Sequence, residues 1–386
     1  MLVRSVEALV DDARRVTRLS AFHSESFREG LEILVSEINR LRSFTPEGVA
    51  HFEKRAAASL ASRLKVDEYI RLNPDVLDAP IKAPVVVLGM PRTGSTLLNN
   101  LLATDLRRRS PLSWEYEDPT PPPTTDELFT GARAMAALEA EAQARAANPK
   151  AVRFRPISAI FPVECAHIQA HDFKSLFWEA HGPMRAYSEW ILSCDMTSAY
   201  DYHRRFLQVL QHKAPGVWNL KMPSHSVHIE WLLQAYPDAR LIWTHRDPFA
   251  ATASLFSLIA NTHERTMGTA DRAYIAKNYP PQMSQHLSRM MAARDKIPPS
   301  RLYDHSYAEI VRDPIGAVRK IYQWLGDDFT PEVEGGMRRW LDQNPQRKWV
   351  THAYNLGEFG LATEDLRPHF AAYLSQYDVE LEARGP

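Results

Sequence analysis

The chain has 386 residues, 45% hydrophobic and 24% charged, enough to bury a sizeable core in one large domain or two modest ones. Its 46 basic residues against 47 acidic ones leave a formal charge of −1, which argues against a nucleic-acid-binding protein. With only Cys165 and Cys194, a disulfide framework is excluded and a reducing compartment is favoured. Because no apolar run reaches about 18 residues and acids interrupt the first apolar stretch, neither a transmembrane segment nor a secretory signal is predicted. We therefore expect a cytoplasmic protein.

Residues 1–78 are predicted to form a helical N-terminal region. Apolar residues recur there at helical spacing in two stretches: Val3, Val6, Leu9 and Val10, then Phe27, Leu31, Leu34, Val35 and Ile38. Thr45 as N-cap and Pro46 in the first turn predict a further helix, and Asn73-Pro74 ends the region.

Residues 79–386 are predicted to form an α/β domain. VVVLG (85–89) is short, β-branched and followed by a glycine turn and a helical pattern, as expected for a buried parallel strand. Further strand candidates alternate with helical patterns: 217–221, 240–246 and 301–306, the last followed by a helix through Trp324. Such alternation predicts a parallel sheet flanked by helices. Residues 118–150, a proline-rich loop and then a helix over 126–147, form an insertion that would act as a lid or as a solvated connector.

The segment from Gly89 to Thr96 has the spacing G-x-x-x-x-G-S-T at a strand-to-helix junction. Gly94 allows the backbone to curl around an anion, while the helix start near Ser95 contributes amide donors and a positive dipole end. ATP-binding loops carry lysine directly after the second glycine, but here Ser95 takes that place and the cation is Arg92. The loop therefore predicts an anion site and argues against a small-molecule P-loop kinase or NTPase, which stays the alternative.

A second anion site is predicted where the strand candidate 240–246 ends. Arg246 lies at the carboxyl edge of the expected sheet, where open α/β sheets bind ligands. Asp247 and Pro248 predict a helix start, and Ser254 follows about two turns later. Arg246 and Ser254 can jointly hold a phosphate, although an ordinary ion pair and a helix serine would have the same pattern.

Three motifs in this order, GMPRTGSTLL, HRDPFAATAS and YAEIVRDPIGAVRKIYQWLG, resemble sulfotransferases that use 3′-phosphoadenosine-5′-phosphosulfate (PAPS). The resemblance covers roughly residues 84–360 and is closest to the bacterial branch with a helical N-terminal region. It implies a P-loop-type parallel sheet and PAPS as donor, with adenosine 3′,5′-bisphosphate as product and no metal. Animal cytosolic enzymes have lysine where this chain has Arg92, a departure that the bacterial branch shares.

The resemblance also assigns nucleotide-binding residues. The 5′-phosphosulfate would be bound by Arg92, Thr93, Gly94, Ser95, Thr96 and Leu97. The 3′-phosphate would be bound by Arg246 and Ser254, with Tyr307 near the nucleotide. Arg347 and Lys348 stand where a late basic segment closes over the 3′-phosphate, on a looser local match.

Sulfuryl transfer is an in-line displacement that depends on positioning and charge stabilisation. Arg92 would neutralise the leaving 5′-phosphate, and Lys221 would grip the sulfuryl oxygens. Two residues compete as general base: Glu164, a lone acid in an apolar stretch, and His225, four residues beyond Lys221 in a segment that resembles the family's. We prefer Glu164, with Glu115 as a weaker third candidate. A buried ion pair for Glu164 and a capping histidine for His225 are the non-catalytic interpretations.

The acceptor would be a hydroxyl or amine of a small molecule, lipid or glycan, and the sequence does not choose among them. Six aromatic residues would either line an apolar acceptor pocket or lie in the core: Trp114, Phe161, Phe173, Phe177, Trp178 and Trp190. The N-terminal helices would shape that pocket or form the face of a homodimer. A non-catalytic nucleotide-binding protein on the same fold is the third reading.

Overall fold

The structure is a computed structural model that describes residues 2–147, 158–345 and 355–382. Five strands lie within these residues: β1 (Val85–Gly89), β2 (Arg108–Arg109), β3 (Val217–Lys221), β4 (Arg240–His245) and β5 (Leu302–Ser306). They pair in parallel in the order β2-β3-β1-β4-β5, which confirms the predicted parallel sheet. The two-residue β2 has no counterpart in the sequence prediction.

The described helices surround this sheet and none of them is long and apolar enough to cross a membrane. Their bounds are α1 Val6–Thr17, α2 Phe27–Leu41, α3 Pro46–Leu72, α4 Ser95–Leu102, α5 Ser113–Glu117, α6 Glu127–Thr130, α7 Ala132–Ala147, α8 Cys165–Gln169, α9 Leu176–Glu179, α10 Arg185–Ile191, α11 Thr197–Gln211, α12 Ile229–Ala235, α13 Pro248–Met267, α14 Arg272–Arg294, α15 Tyr307–Arg312, α16 Pro314–Leu325, α17 Pro331–Gln343 and α18 Thr363–Gln376.

Two predicted helices are each divided in the structure. The helix expected after Ser306 breaks into α15 and α16 at Asp313, because Pro314 disfavours a helical residue before it and has no N–H to donate. Asp313 is non-helical (φ −141°, ψ 82°), and its side chain accepts the Gly316 amide at 2.9 Å. The helix expected over 126–147 is α6 and α7, separated at Gly131, whose backbone is extended.

Successive side chains of β1 point alternately to two hydrophobic clusters, one on each face of the strand. Val86 and Leu88 face a large cluster that also contains apolar residues of α1, α2 and α3. Val85 and Val87 face a smaller one formed with α4, α16 and α17. All five residues of β1 are buried, as expected for a central parallel strand. The N-terminal helices therefore share a core with one face of the sheet.

The predicted start of α3 is confirmed, and α3 lies against the end of α13. The Thr45 side chain accepts the Gly48 amide at 3.0 Å, and Pro46 occupies the first turn. A Cβ on Gly48 would lie 2.0 Å from the carbonyl oxygen of Thr266, so only glycine allows the two backbones to approach this closely.

A buried ion pair also joins α3 to the α/β part of the chain. Arg63 Nη1 lies 2.7 Å from Asp172 Oδ1, and the two side chains are 2% and 0% exposed. Ser198 Oγ donates to the other carboxylate oxygen at 2.7 Å, and the guanidinium lies 4.7 Å from the centroid of the Tyr202 ring. The charges are thus paired and hydrogen-bonded, as a buried pair requires.

We expect Arg63→Leu to lower the free energy of unfolding by about 3–5 kcal/mol, because Asp172 is left as a buried charge without its cation. Arg204→Leu is the matched control, since its ion pair with Asp201 is about half exposed and should contribute less than about 1 kcal/mol. Urea titration of both variants measures the difference. Equal losses of unfolding free energy in the two variants would show that the buried pair contributes no more than the exposed one.

Candidate active site

The carboxyl ends of three neighbouring strands form the floor of the site. Gly89 of β1 is paired with Thr244 of β4, and Val87 of β1 with Lys221 of β3. Because the strands are parallel, the loops that follow them emerge on the same edge of the sheet. Residues separated by more than 120 positions in the sequence thus become neighbours.

The loop between β1 and α4 is held by three positive backbone angles: φ is 136° at Gly89, 69° at Arg92 and 79° at Gly94. A Cβ on Gly89 would lie 2.7 Å from both the carbonyl and the hydroxyl oxygen of Thr244, so this position also requires glycine. Arg92 takes a left-handed conformation that costs a non-glycine residue about 1–2 kcal/mol. Strain of this kind concentrates at functional sites.

Two threonine hydroxyls hold the loop against the sheet. Thr93 Oγ1 lies 2.8 Å from the carbonyl oxygen of Met90 and 2.6 Å from Thr244 Oγ1. Thr244 Oγ1 in turn lies 3.0 Å from the carbonyl oxygen of Leu88. Both residues are 1% exposed, so the Thr93 hydroxyl is buried in these contacts with the loop and the sheet.

Arg92, Arg246 and Ser254 form one cluster. Arg92 Nε donates to Ser254 Oγ at 3.0 Å, while Arg246 Nη1 donates to the carbonyl oxygen of Arg92 at 2.6 Å. The two anion sites inferred from the sequence therefore adjoin each other across Arg92. Asp247 caps α13 as predicted, accepting the Phe249 amide at 2.8 Å.

Two further side chains, those of Tyr307 and Glu382, contact the guanidinium of Arg246. It lies 4.0 Å from the ring centroid of Tyr307, and a Cβ added to Gly94 would lie 2.9 Å from Cδ2 of the same ring. Glu382 binds the Nε and Nη2 edge of Arg246 with both carboxylate oxygens, the Nη2 bond measuring 2.9 Å. Arg246, Tyr307 and Gly94 are thus one packed unit.

Lys221 and Glu164 meet at the other side of the loop. Lys221 Nζ contacts a carboxylate oxygen of Glu164 and lies 3.2 Å from Thr96 Oγ1. Glu164 precedes α8 but does not cap it with its side chain, which turns to Lys221 instead. The carboxylate is 22% exposed and the lysine side chain 3%, so of the two groups the acid has more access from outside.

The other two candidate bases lie deeper in the protein. His225 is fully buried, its Nδ1 lies 2.8 Å from the Tyr200 hydroxyl, and burial lowers its pKa well below the usual histidine value. Glu115 is also fully buried and forms a two-pronged ion pair with Arg109, one bond of which measures 2.9 Å. It accepts the Leu112 amide at 3.1 Å as well, which is a structural role.

The remaining predicted residues fall into three groups. Ser95 is buried at the start of α4, and Leu97 packs on the smaller hydrophobic cluster. Of the six aromatic candidates, three are buried core residues and three are partly buried: Trp114, Phe173 and Trp178, then Phe161, Phe177 and Trp190. Arg347 and Lys348 lie outside the described residues.

Two contributors to the site were missed from the sequence. Thr244 had no motif to mark it, and Glu382 lies 136 residues from the arginine it binds. For Thr244, a usable signal is a threonine near the end of a strand that pairs with the strand before the glycine turn. For the second we find no local signal.

The chain matches the sulfotransferase family over residues 84–331. Among curated proteins, it is 24% identical over 322 residues to the omega-hydroxy-beta-dihydromenaquinone-9 sulfotransferase Stf3 of Mycobacterium tuberculosis and to that of Mycobacterium bovis. The alignment covers 78% of this chain and 77% of Stf3.

Two solved structures are similar along nearly the whole chain. The sulfotransferase STF9 of Mycobacterium avium is 41% identical with a TM-score of 0.93, and the similarity covers 99% of both chains. STF1 of Mycobacterium tuberculosis is 28% identical with a TM-score of 0.85, covering 96% of this chain and 99% of STF1. Since the family match extends over more than half of the residues and coincides with the phosphate loop and the sheet edge described above, this chain belongs to the sulfotransferase family and is an enzyme of that family.

Proposed function

We propose that this sulfotransferase takes its sulfuryl group from PAPS and transfers it to an acceptor hydroxyl. The observation that carries the proposal is the contact of Arg92 with both Arg246 and Ser254, at 2.6 and 3.0 Å. A donor with anionic groups at both ends fits two adjoining cationic sites. The loop Gly89–Thr96 would hold the 5′-phosphosulfate, and Arg246 with Ser254 would hold the 3′-phosphate.

In the proposed reaction the acceptor oxygen attacks sulfur while the bond from sulfur to the 5′-phosphate oxygen breaks. Adenosine 3′,5′-bisphosphate leaves with the electron pair of that bond. Arg92 and the amides at the start of α4 would stabilise the charge on the leaving phosphate. Lys221, beside Thr96, would contact the sulfuryl oxygens as they become equatorial in the transition state.

Glu164 is our proposed base. Its carboxylate contacts Lys221 and is partly open to the outside, so it can meet both the acceptor hydroxyl and the lysine. An ammonium in contact favours the ionised carboxylate, the form that accepts a proton. His225 is a poorer candidate, because it is fully buried and bonded to Tyr200. Any role of His225 would have to pass through the residues around it.

We propose an apolar acceptor with a hydroxyl group. Stf3 is named for a hydroxylated dihydromenaquinone, an apolar lipid, and it aligns with most of this chain. Phe161 is partly buried three residues before Glu164, with its ring centroid 6.0 Å from that of Trp340. A partly buried aromatic residue in the segment that leads to the proposed base supports an apolar acceptor.

Calorimetry with adenosine 3′,5′-bisphosphate tests the donor assignment. We expect binding without magnesium, and we expect Arg246→Ala to weaken it at least tenfold because a charge-assisted phosphate contact is lost. ATP with magnesium is the comparison that the kinase alternative requires. Tight binding of Mg-ATP with no affinity for the bisphosphate would contradict the proposal.

Gly94→Ala should weaken bisphosphate binding by forcing the Tyr307 ring, and Arg246 with it, to move. Gly326→Ala is the matched control: its φ is 75° against 79°, but its Cβ would meet no described atom within 4 Å. Both variants should lose about 1–2 kcal/mol of stability to the left-handed backbone. Thermal unfolding measures that shared cost and calorimetry the affinity. Equal affinity of Gly94→Ala and Gly326→Ala for the bisphosphate would argue against a role for the loop in binding it.

Glu164→Gln should lower kcat by about 10²–10⁴-fold while leaving bisphosphate affinity nearly unchanged, as expected for loss of a general base. His225→Asn keeps a group near the Tyr200 hydroxyl and should change stability more than kcat. The assay is transfer of labelled sulfate from PAPS to the best acceptor in a screen of quinols, sterols and phenols. If His225→Asn loses kcat and Glu164→Gln does not, the assignment of the base is reversed.

A further inference from the structure

The chain segment after α18 crosses the site at Arg246. We call residues 378–382 the C-terminal strap; they have no regular secondary structure. Glu382 binds Arg246 with both carboxylate oxygens, and its own amide donates to Asp247 Oδ2 at 2.9 Å. Glu380 lies 3.2 Å from Arg312 in an exposed ion pair. The strap is thus attached by its acidic side chains at the edge of the sheet.

The strap forms one wall of a cleft of about 760 Å³. Its acids Asp378, Glu380 and Glu382 line that cleft together with Arg246, Arg312 and Tyr307. Adjacent residues of β5 and α15 complete it. Within the cleft, Glu382 is thus paired with Arg246, the cation proposed to bind the 3′-phosphate.

Glu382 binds Arg246 as a phosphate would. A planar carboxylate on the Nε and Nη2 edge of a guanidinium makes the same two-pronged pair as two phosphate oxygens. A carboxylate and a phosphate on one guanidinium would repel each other at short range, so the two anions compete. Of the two paired side chains, Glu382 is the one that can move away. Its side chain is 39% exposed on an irregular segment, whereas that of Arg246 is 9% exposed at the end of β4.

We propose that Glu382 is an intramolecular competitor for the 3′-phosphate of the donor and of the bisphosphate product. The strap covers Arg246 in the empty enzyme, leaves when a 3′-phosphate binds, and returns as the product dissociates. Since the carboxylate is tethered to the chain, it re-enters the site at a high effective concentration and speeds product release. This inference rests on the proposed function, which assigns Arg246 to the 3′-phosphate.

The test is Glu382→Gln, measured by calorimetry with two nucleotides that differ only in the 3′-phosphate. We expect adenosine 3′,5′-bisphosphate to bind about three- to tenfold more tightly to the variant than to the wild-type enzyme, and 5′-AMP to bind equally to both. Glu380→Gln is the matched control, because it removes an acid of the same strap that does not touch Arg246. It should leave both affinities unchanged.

Each other outcome overturns the proposal. Weaker bisphosphate binding by Glu382→Gln would mean that Glu382 orients Arg246 for phosphate, and unchanged binding would mean that the two anions do not compete. If the wild-type enzyme and the variant both fail to bind the bisphosphate, the assignment of Arg246 fails together with this inference. The first two outcomes leave the proposed function intact, so the failures are distinguishable.

Hydrogen exchange distinguishes displacement of the strap from a purely structural role of Glu382. The Glu382 amide is protected by Asp247 in the structure, and adding the bisphosphate should speed its exchange, whereas most ligands slow the exchange of the segments they contact. Adding 5′-AMP should have no such effect. Slower exchange of the strap with the bisphosphate would contradict displacement.

Discussion

The hydrogen bond from Arg246 to the carbonyl oxygen of Arg92 is the contact on which the geometry of the site depends. Arg92 has a left-handed backbone, and its carbonyl oxygen accepts from Arg246 while its side chain donates to Ser254. The paired hydroxyls of Thr93 and Thr244 hold the next residue of the loop on the sheet. One residue of the phosphate loop therefore touches both parts of the second anion site.

Helix α13 extends this arrangement to the N-terminal helices. Its N-cap is Asp247 and its second turn carries Ser254 at the site, and its far end lies against α3, where Gly48 meets Thr266. The Arg63–Asp172 pair attaches α3 separately to the segment between α8 and α9. The N-terminal helices therefore support the helix that carries the phosphate residues. The family match begins at residue 84, yet the similarity to STF9 covers 99% of the chain, so those helices belong to the fold of this relative as well.

The three candidate bases show how much depends on tertiary environment. Glu164, His225 and Glu115 are all suitable by chemical type, and their sequence contexts gave only a preference for Glu164 over His225, with Glu115 third. In the structure Glu115 is neutralised by Arg109 and His225 is sealed beside Tyr200, whereas Glu164 contacts the lysine next to the loop. That Glu164 accepts the proton remains a prediction, but the environments of the three groups now differ enough to rank them.

The sequence by itself determined the sheet class, the position of the phosphate loop, the cap of α3 and the family. Each of these depends on local spacing: a β-branched run ended by glycine, a threonine before a proline, or motifs in a set order. Only the tertiary structure decided that Arg92 contacts Ser254, that Lys221 meets Glu164 and that Glu382 holds Arg246. These contacts span 57 to 162 residues of chain, and strand order and register set them. Local sequence patterns cannot predict such contacts, because they reflect interactions between residues only a few positions apart.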